Sequence, residues 1–297
     1  MNKKTIFGLI AITIFLFFSL FLRQLSVFTF DLLIMLFMVV CTVEMATAFM
    51  KNGYRIIKTL LIITCILVYP MSIIFGIGGG LLTLMACFFV TSGIVTFRMI
   101  PDKDGNKVFM YNLQDHTANT FVLVYPIFLI SLFIDVNHNL GGLLAILMFI
   151  FIPLGSDTFA QWFGKLWGKK KLVPSISPNK TVAGSVGAFF GATFASLVLF
   201  MSFEVYGIFD GMYNVGITSL TSSIWYSLPI YIMLGLFGGL TSQLGDLFAS
   251  WLKRQFKLKD FSGFLPGHGG LMDRADSILA TLPLIYLSLL VLDKLAL

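Results

Sequence analysis

Apolar residues fill this chain in long blocks, and short polar segments separate the blocks. A hydrocarbon core about 30 Å thick is crossed by about 20 apolar residues in a helix. Nine stretches meet that length, near residues 5–22, 25–48, 56–75, 78–97, 117–134, 140–157, 183–203, 224–245 and 277–293. The fourth opens on "GIGGG" and is the least regular. No alternation of period two supports a barrel. The pattern predicts an all-α polytopic integral membrane protein with about nine transmembrane helices. The first block resembles a signal peptide, but no small-residue cleavage site follows it, so it is read as a retained first helix.

Composition agrees with this pattern. Of 297 residues, 58% are hydrophobic and 11% charged, against about 25% charged in soluble domains. The mean hydropathy is +0.93. A pair of soluble domains is therefore excluded. The net charge of +6 is no sign of nucleic-acid binding in such a chain, because Lys and Arg mark the cytoplasmic side. Nine crossings with the N-terminus inside put 18 of the 20 basic residues on one side, leaving only Arg23 and Lys294 on the other. This predicts a cytoplasmic N-terminus, an outside C-terminus and a multi-pass protein of the cell membrane. Residues 1–135 then form an N-terminal set of five spans. Residues 136–297 form a second region with two long cytoplasmic loops, 155–182 and 246–276. Cys41, Cys65 and Cys87 lie in apolar blocks without metal-ligand spacing and read as small packers. His116 and His138 are isolated and read as surface residues.

Polarity is concentrated in the two loops. On a helix over 155–168, Asp157, Gln161, Gly164 and Gly168 share one face, with Phe159, Trp162, Phe163, Leu166 and Trp167 around the remainder. An acid at the end of a span is costly without a partner. "SPNKTVAGS" then interrupts the chain. Pro178 near a first helical turn, with amide groups behind it, predicts an anion site that Lys180 would complete. Gly187, Gly191 and Ala195, four apart, form a small face for helix packing. In the second loop, Asp246, Ser250, Lys253 and Lys257 fall on one helical face, with Arg254 at its margin. Pro266, Gly267, Gly269 and Gly270 predict irregular backbone, and Asp273 and Asp276 lie three apart. Three acids, Asp246, Asp273 and Asp276, together with Lys253, Arg254 and Arg274, suit a site for a divalent cation and phosphates. No Walker A motif is present.

The segment "SWLKRQFKLKDFSGFLPGHGGLMDRAD" (250–276) resembles the signature of the phosphatidate cytidylyltransferases, the CDP-diacylglycerol synthases. Ser250, Lys253, Arg254, Lys259, Asp260, Ser262, Pro266, His268, Gly269, Gly270, Asp273, Arg274 and Asp276 match it in type and spacing. Ala275 is smaller than the usual residue there. "DTFAQWFGKLWGKKKL…SPNKTVAGSVG" resembles the family's upstream segment, with Ala183 where an acidic or amide residue is common. The first 150 residues match only as a set of spans. The resemblance implies that CTP and phosphatidic acid give CDP-diacylglycerol and pyrophosphate with Mg2+. Mg2+ is then expected on Asp246 and Asp273, with Asp276 as orienter or third ligand. Lys253, Arg254 and Arg274 would hold phosphates. Asp157, Ser177, Lys180, Ser250 and His268 would line the substrate cavity. A homodimer is expected from the small-residue faces and the family. The alternatives are a CTP-dependent enzyme acting on an isoprenoid or polyprenol phosphate, and a membrane transporter; a transporter predicts mid-membrane acids and repeated halves.

Overall fold

The computed structural model describes residues 23, 26–101, 106–138, 142–208, 217, 224–263 and 269–295. The expected first span, 5–22, lies outside the described residues, as do Pro266, Gly267 and His268. Among the described residues, seven helices are long and apolar enough to cross a membrane. They are α1 (Val27–Lys51), α2 (Lys58–Phe97), α3 (Leu113–His138), α4 (Gly142–Trp167), α5 (Val182–Val205), α6 (Ile224–Gln255) and α7 (Met272–Leu295). The all-α membrane class follows directly. The described residues also form two short antiparallel hairpins: β1 (Met99–Pro101) with β2 (Lys107–Phe109), and β3 (Lys171–Val173) with β4 (Ser177–Thr181).

At 40 residues, a straight α2 would be about 60 Å long, twice the hydrocarbon core. It is not straight. Thr64 Oγ1 donates to Cys87 Sγ at 2.8 Å, although 23 residues of straight helix span about 34 Å. The chain doubles back at Gly76, where φ is 60° and ψ is −151°, a conformation that only glycine adopts readily. The arms meet closely, since a Cβ at Gly79 would lie 2.0 Å from the Met71 carbonyl oxygen. The two arms coincide with the stretches 56–75 and 78–97, and "GIGGG" is the turn between them.

The chain divides into two compact units. The described residues of Met1–Asp135 and of Asp260–Asp273 form the first, and those of Val136–Lys259 and Arg274–Leu297 form the second. In the first unit, α3 opens on a capping box between Asn112 and Asp115, which satisfies two amides at the helix start. Its side chains also hold the α1–α2 turn: Arg55 N–H donates to Asp115 Oδ1 at 2.7 Å, and Ile57 N–H to Asn119 Oδ1 at 2.9 Å. The three cysteines are buried thiols in this core, as expected of packers. His116 is not a surface residue of the kind anticipated. Its ring packs against Phe88 at 5.3 Å, and its Nδ1 is buried.

In the second unit, α4 and α5 pack backbone to backbone. A Cβ at Gly191 would lie 2.2 Å from the Gly155 carbonyl oxygen, and one at Gly187 would lie 2.6 Å from the Phe163 side chain. The small face of α5 is thus filled by α4, with Phe159 and Phe163 over its glycines. Trp162, Leu166 and Trp167 remain exposed, where lipid would meet them. On its other side α5 meets α6: Ser196 Oγ donates to the Tyr231 carbonyl at 2.6 Å, and the Phe200 and Tyr231 rings meet edge-on at 5.4 Å. Tyr231 in turn donates to Glu204 Oε1 at 2.8 Å.

Helix extends into both expected loops. α4 continues through Trp167 and α6 through Gln255. Between α4 and α5 the chain forms the β3–β4 hairpin, and this corrects one expectation. Pro178 lies within β4, and α5 begins only at Val182. The α5 N-cap is Thr181, whose Oγ1 accepts from Gly184 N–H at 3.1 Å. The expected anion site behind Pro178 is therefore not formed: the amides there belong to a strand, and the helix start carries its own cap.

Because the Gly155–Gly191 contact has no room for a methyl group, Gly191→Ala should lower stability by about 1–3 kcal/mol. A thermal unfolding midpoint in detergent equal to that of the unmodified chain would show that the helices are not in backbone contact there.

Candidate functional site

α6 has 32 residues, about 48 Å of helix, so it outruns an apolar core about 30 Å thick. Asp246 lies on its C-terminal part. The preceding residue fixes its place, because a Cβ at Gly245 would lie 2.4 Å from Ala280 Cβ and 2.7 Å from the Asp276 carbonyl oxygen. α6 therefore presses on α7 where Asp276 emerges, and the two acids are brought together by a glycine contact. Lys180 reaches in from β4. Its Nζ donates to Asp246 Oδ2 at 2.7 Å and toward the Gln243 carbonyl at 3.5 Å. Ser250 Oγ stands 3.5 Å from Asp246 Oδ1, one turn along the same helix.

Asp157, on the extended part of α4, accepts from Ser277 Oγ at 3.3 Å. It feels the like charges of Asp246 and Asp276 and the opposite charge of Lys180. Asp276 is buried and accepts from Ser277 N–H at 2.8 Å. Gln243, next to this group, exchanges hydrogen bonds with Ser185 of α5. Five sequence-predicted residues, Asp157, Lys180, Ser250, Asp246 and Asp276, thus meet in one electrostatic neighbourhood built by α4, β4, α6 and α7. Three carboxylates and one ammonium share this neighbourhood.

The end of α6 is defined by its backbone. Leu258 N–H donates to the Lys253 carbonyl at 2.9 Å and Lys257 N–H to the Arg254 carbonyl at 3.0 Å, which is a Schellman cap. Lys257 occupies the left-handed position with φ of 54°. This corrects a second expectation: Lys257 is past the helix and does not share a face with Asp246. Arg254 is exposed and points its Nε at the Ile176 carbonyl, 3.5 Å away. That carbonyl precedes Ser177, so Arg254 and Ser177 lie near one another at the β3–β4 hairpin. Lys253 is half-buried and Arg274 exposed.

The remaining predicted acid lies in the first unit. Asp273 Oδ2 accepts from Phe261 N–H at 2.9 Å and from Gly270 N–H at 2.8 Å, so it closes the segment Asp260–Asp273 on itself. Gly269 has φ of 81°, which explains glycine at that position. A Cβ on Gly270 would lie 2.6 Å from Glu44 Oε2. Glu44 is the residue that sequence reasoning missed. It projects from α1, is buried, and hydrogen-bonds to Ser262, Leu271 and Met272. The available signal was an acid in the middle of an apolar span, which is expensive unless paired.

Carboxylate oxygens suit Mg2+ in kind. Among the described residues, no three of His, Cys, Asp or Glu gather as a metal-binding group, and Asp246 is paired with Lys180.

The fold is that of a polytopic helical membrane protein whose helices carry charge past the ends of their apolar spans. Within that class, the chain belongs to the Cytidylyltransferase family, whose model matches residues 2–292. It is similar to the phosphatidate cytidylyltransferases of Staphylococcus epidermidis, Staphylococcus aureus and Staphylococcus saprophyticus, each 40% identical over 149 residues. The alignments cover 50% of this chain and 50% of each relative, so the chain spans about half the length of the curated relatives it matches.

Two stability measurements check this geometry. The Lys180 and Asp246 side chains are 23% and 33% exposed, so water screens the pair, and a double-mutant cycle of Lys180→Ala with Asp246→Asn should return no more than about 1 kcal/mol of coupling. A coupling of several kcal/mol would mean that the pair is desolvated and structural. Lys257→Gly should raise stability by about 1 kcal/mol by relieving the left-handed backbone; a lower unfolding midpoint would contradict the cap.

Proposed function

We propose that this protein transfers a cytidylyl group from CTP to phosphatidic acid, giving CDP-diacylglycerol and pyrophosphate, as a step of phospholipid biosynthesis. The observation that carries the reading is the meeting of Asp157, Lys180, Asp246 and Asp276 in a member of the Cytidylyltransferase family. The names of the staphylococcal relatives support the lipid substrate.

In the proposed reaction an oxygen of the ionised lipid phosphate attacks the α-phosphorus of CTP. A new P–O bond forms there as the bond to the β-phosphate oxygen breaks, and pyrophosphate leaves with that electron pair. The nucleophile is already charged, so no residue has to remove a proton from it. What the protein supplies is position and countercharge. Lys253, Arg254 and Arg274 hold the triphosphate and the departing pyrophosphate. Lys180 is held by Asp246 where it can reach a phosphate oxygen, and Ser177, Ser250 and His268 are further substrate contacts. Asp157 and Asp276 orient this group. Asp246 and Asp273 are the proposed carboxylates for Mg2+, which, when bound, offsets charge on the phosphate oxygens.

The reading includes nine crossings of the cell membrane, with the N-terminus and the two polar segments, 155–182 and 246–276, in the cytoplasm and the C-terminus outside. The 18-of-20 placement of basic residues supports it. That side holds CTP, and the lipid substrate stays in the bilayer. A homodimer is part of the same proposal.

The test is transfer of label from CTP into lipid by purified protein in detergent, with Mg2+ and phosphatidic acid. Mg2+-dependent labelled CDP-diacylglycerol is expected. Label entering only an added polyprenol phosphate would reassign the substrate, and label entering neither lipid would overturn the reading. Asp246→Asn should lower turnover by at least about a hundredfold while shifting stability by no more than about 1 kcal/mol.

A further inference from the structure

We infer that Glu44, in the apolar span α1, is a positioning residue for the signature segment Asp260–Asp273. The inference deepens the reading of the site as a CTP-using one and rests on it for its kinetic test. Glu44 is 5% exposed. A carboxylate so placed in a span persists only when its charge is answered. Here the answer comes from the signature segment. Glu44 Oε1 accepts from Ser262 Oγ at 2.5 Å and from Leu271 N–H at 3.0 Å, and Oε2 accepts from Met272 N–H at 2.8 Å.

Leu271 and Met272 stand at the start of α7, where helix amides have no partner within the helix. A remote carboxylate thus caps α7, with its negative charge at the positive end of the helix. Asp273 takes the N–H groups of Phe261 and Gly270. Between them, Glu44 and Asp273 fix both described ends of the segment, residues 261–262 and 270–272. Gly270 is part of the device, because a Cβ would lie 2.6 Å from Glu44 Oε2 and 2.9 Å from Ser262 Oγ. Three donors on two oxygens need a carboxylate. An amide of the same shape has one acceptor oxygen and turns N–H donors toward a backbone N–H.

The consequence is a population effect. With Glu44 the described ends of the segment, residues 261–262 and 270–272, are held in place, and the proposed nucleotide contact draws on that order. Without it, only a fraction of molecules is competent at any moment, and the apparent affinity for CTP falls by that fraction while saturating CTP restores the ordered form. Loss of folded enzyme does the reverse, lowering kcat and leaving KM unchanged.

The test uses the full chain in detergent with Glu44→Gln and Ser262→Ala. Initial rates are measured over CTP concentration at saturating phosphatidic acid and Mg2+, together with the rate of trypsin cleavage after Lys259. Glu44→Gln should raise KM for CTP about tenfold or more, keep kcat within about twofold, and speed cleavage. Ser262→Ala, which removes one of the three donors, should shift both in the same direction by less. An unchanged KM with unchanged cleavage, or a fall in kcat alone, overturns the inference. Should Glu44→Gln fail to fold, an unchanged KM and cleavage rate in Ser262→Ala overturns it equally. No transfer by the unmodified chain would defeat the proposed function instead, and the cleavage rates would still decide the role of Glu44.

Discussion

Backbone contact between helices is the constraint on which the second unit depends. In a bilayer, apolar side chains gain little by leaving lipid for one another, so helix association relies on close packing. Gly155 and Gly191 let α4 touch α5, and Gly245 lets α6 touch α7. Each contact lies beside a charged residue. Asp157 follows Gly155 by two positions, and Asp246 follows Gly245 directly. Thr181, which follows Lys180, caps α5 and packs where a Cβ at Gly168 would lie 2.7 Å from its Oγ1. The contacts that hold the helices together therefore also set where three of the charges point. A shift of one residue at Gly155 or Gly245 would turn an acid by about 100° around its helix.

The charged groups gain from being placed at helix extensions. α4 and α6 are each longer than the apolar part of their span, and their last turns carry side chains into polar surroundings without a change of element. A helix holds such groups more precisely than a loop does, and precise placement is most of what phosphoryl transfer asks of a protein. The segment Asp260–Asp273 lacks that support. Its described parts, residues 260–263 and 269–271, lie outside the helices, and Asp273 within it and Glu44 outside it hydrogen-bond to them.

Much of this was readable in the sequence. Spans stood out because membrane helices are apolar on every side. The turn at Gly76 was written in "GIGGG", and the polar faces past 155 and 246 followed from helical spacing alone. Three features were not readable, each for a physical reason. The pairing of Lys180 with Asp246 joins residues 66 positions apart and depends on three helix packings. Pro178 suits a strand edge as well as a first helical turn, and its neighbour Thr181 decided the matter by capping α5. Lys257 adopts a left-handed backbone that glycine would have announced. Glu44 was visible but uninterpretable, since nothing within its own span answers it and its partners lie more than two hundred residues away.

Where the nucleotide binds is the most direct test of the proposed site. A photoreactive azido analogue of CTP, irradiated with the purified chain and followed by peptide mapping, measures this without depending on turnover. Label is expected in peptides carrying Lys180 and Asp246, suppressed by excess CTP and not by ATP. Label confined to other peptides, or label that CTP does not suppress, would contradict the proposed site.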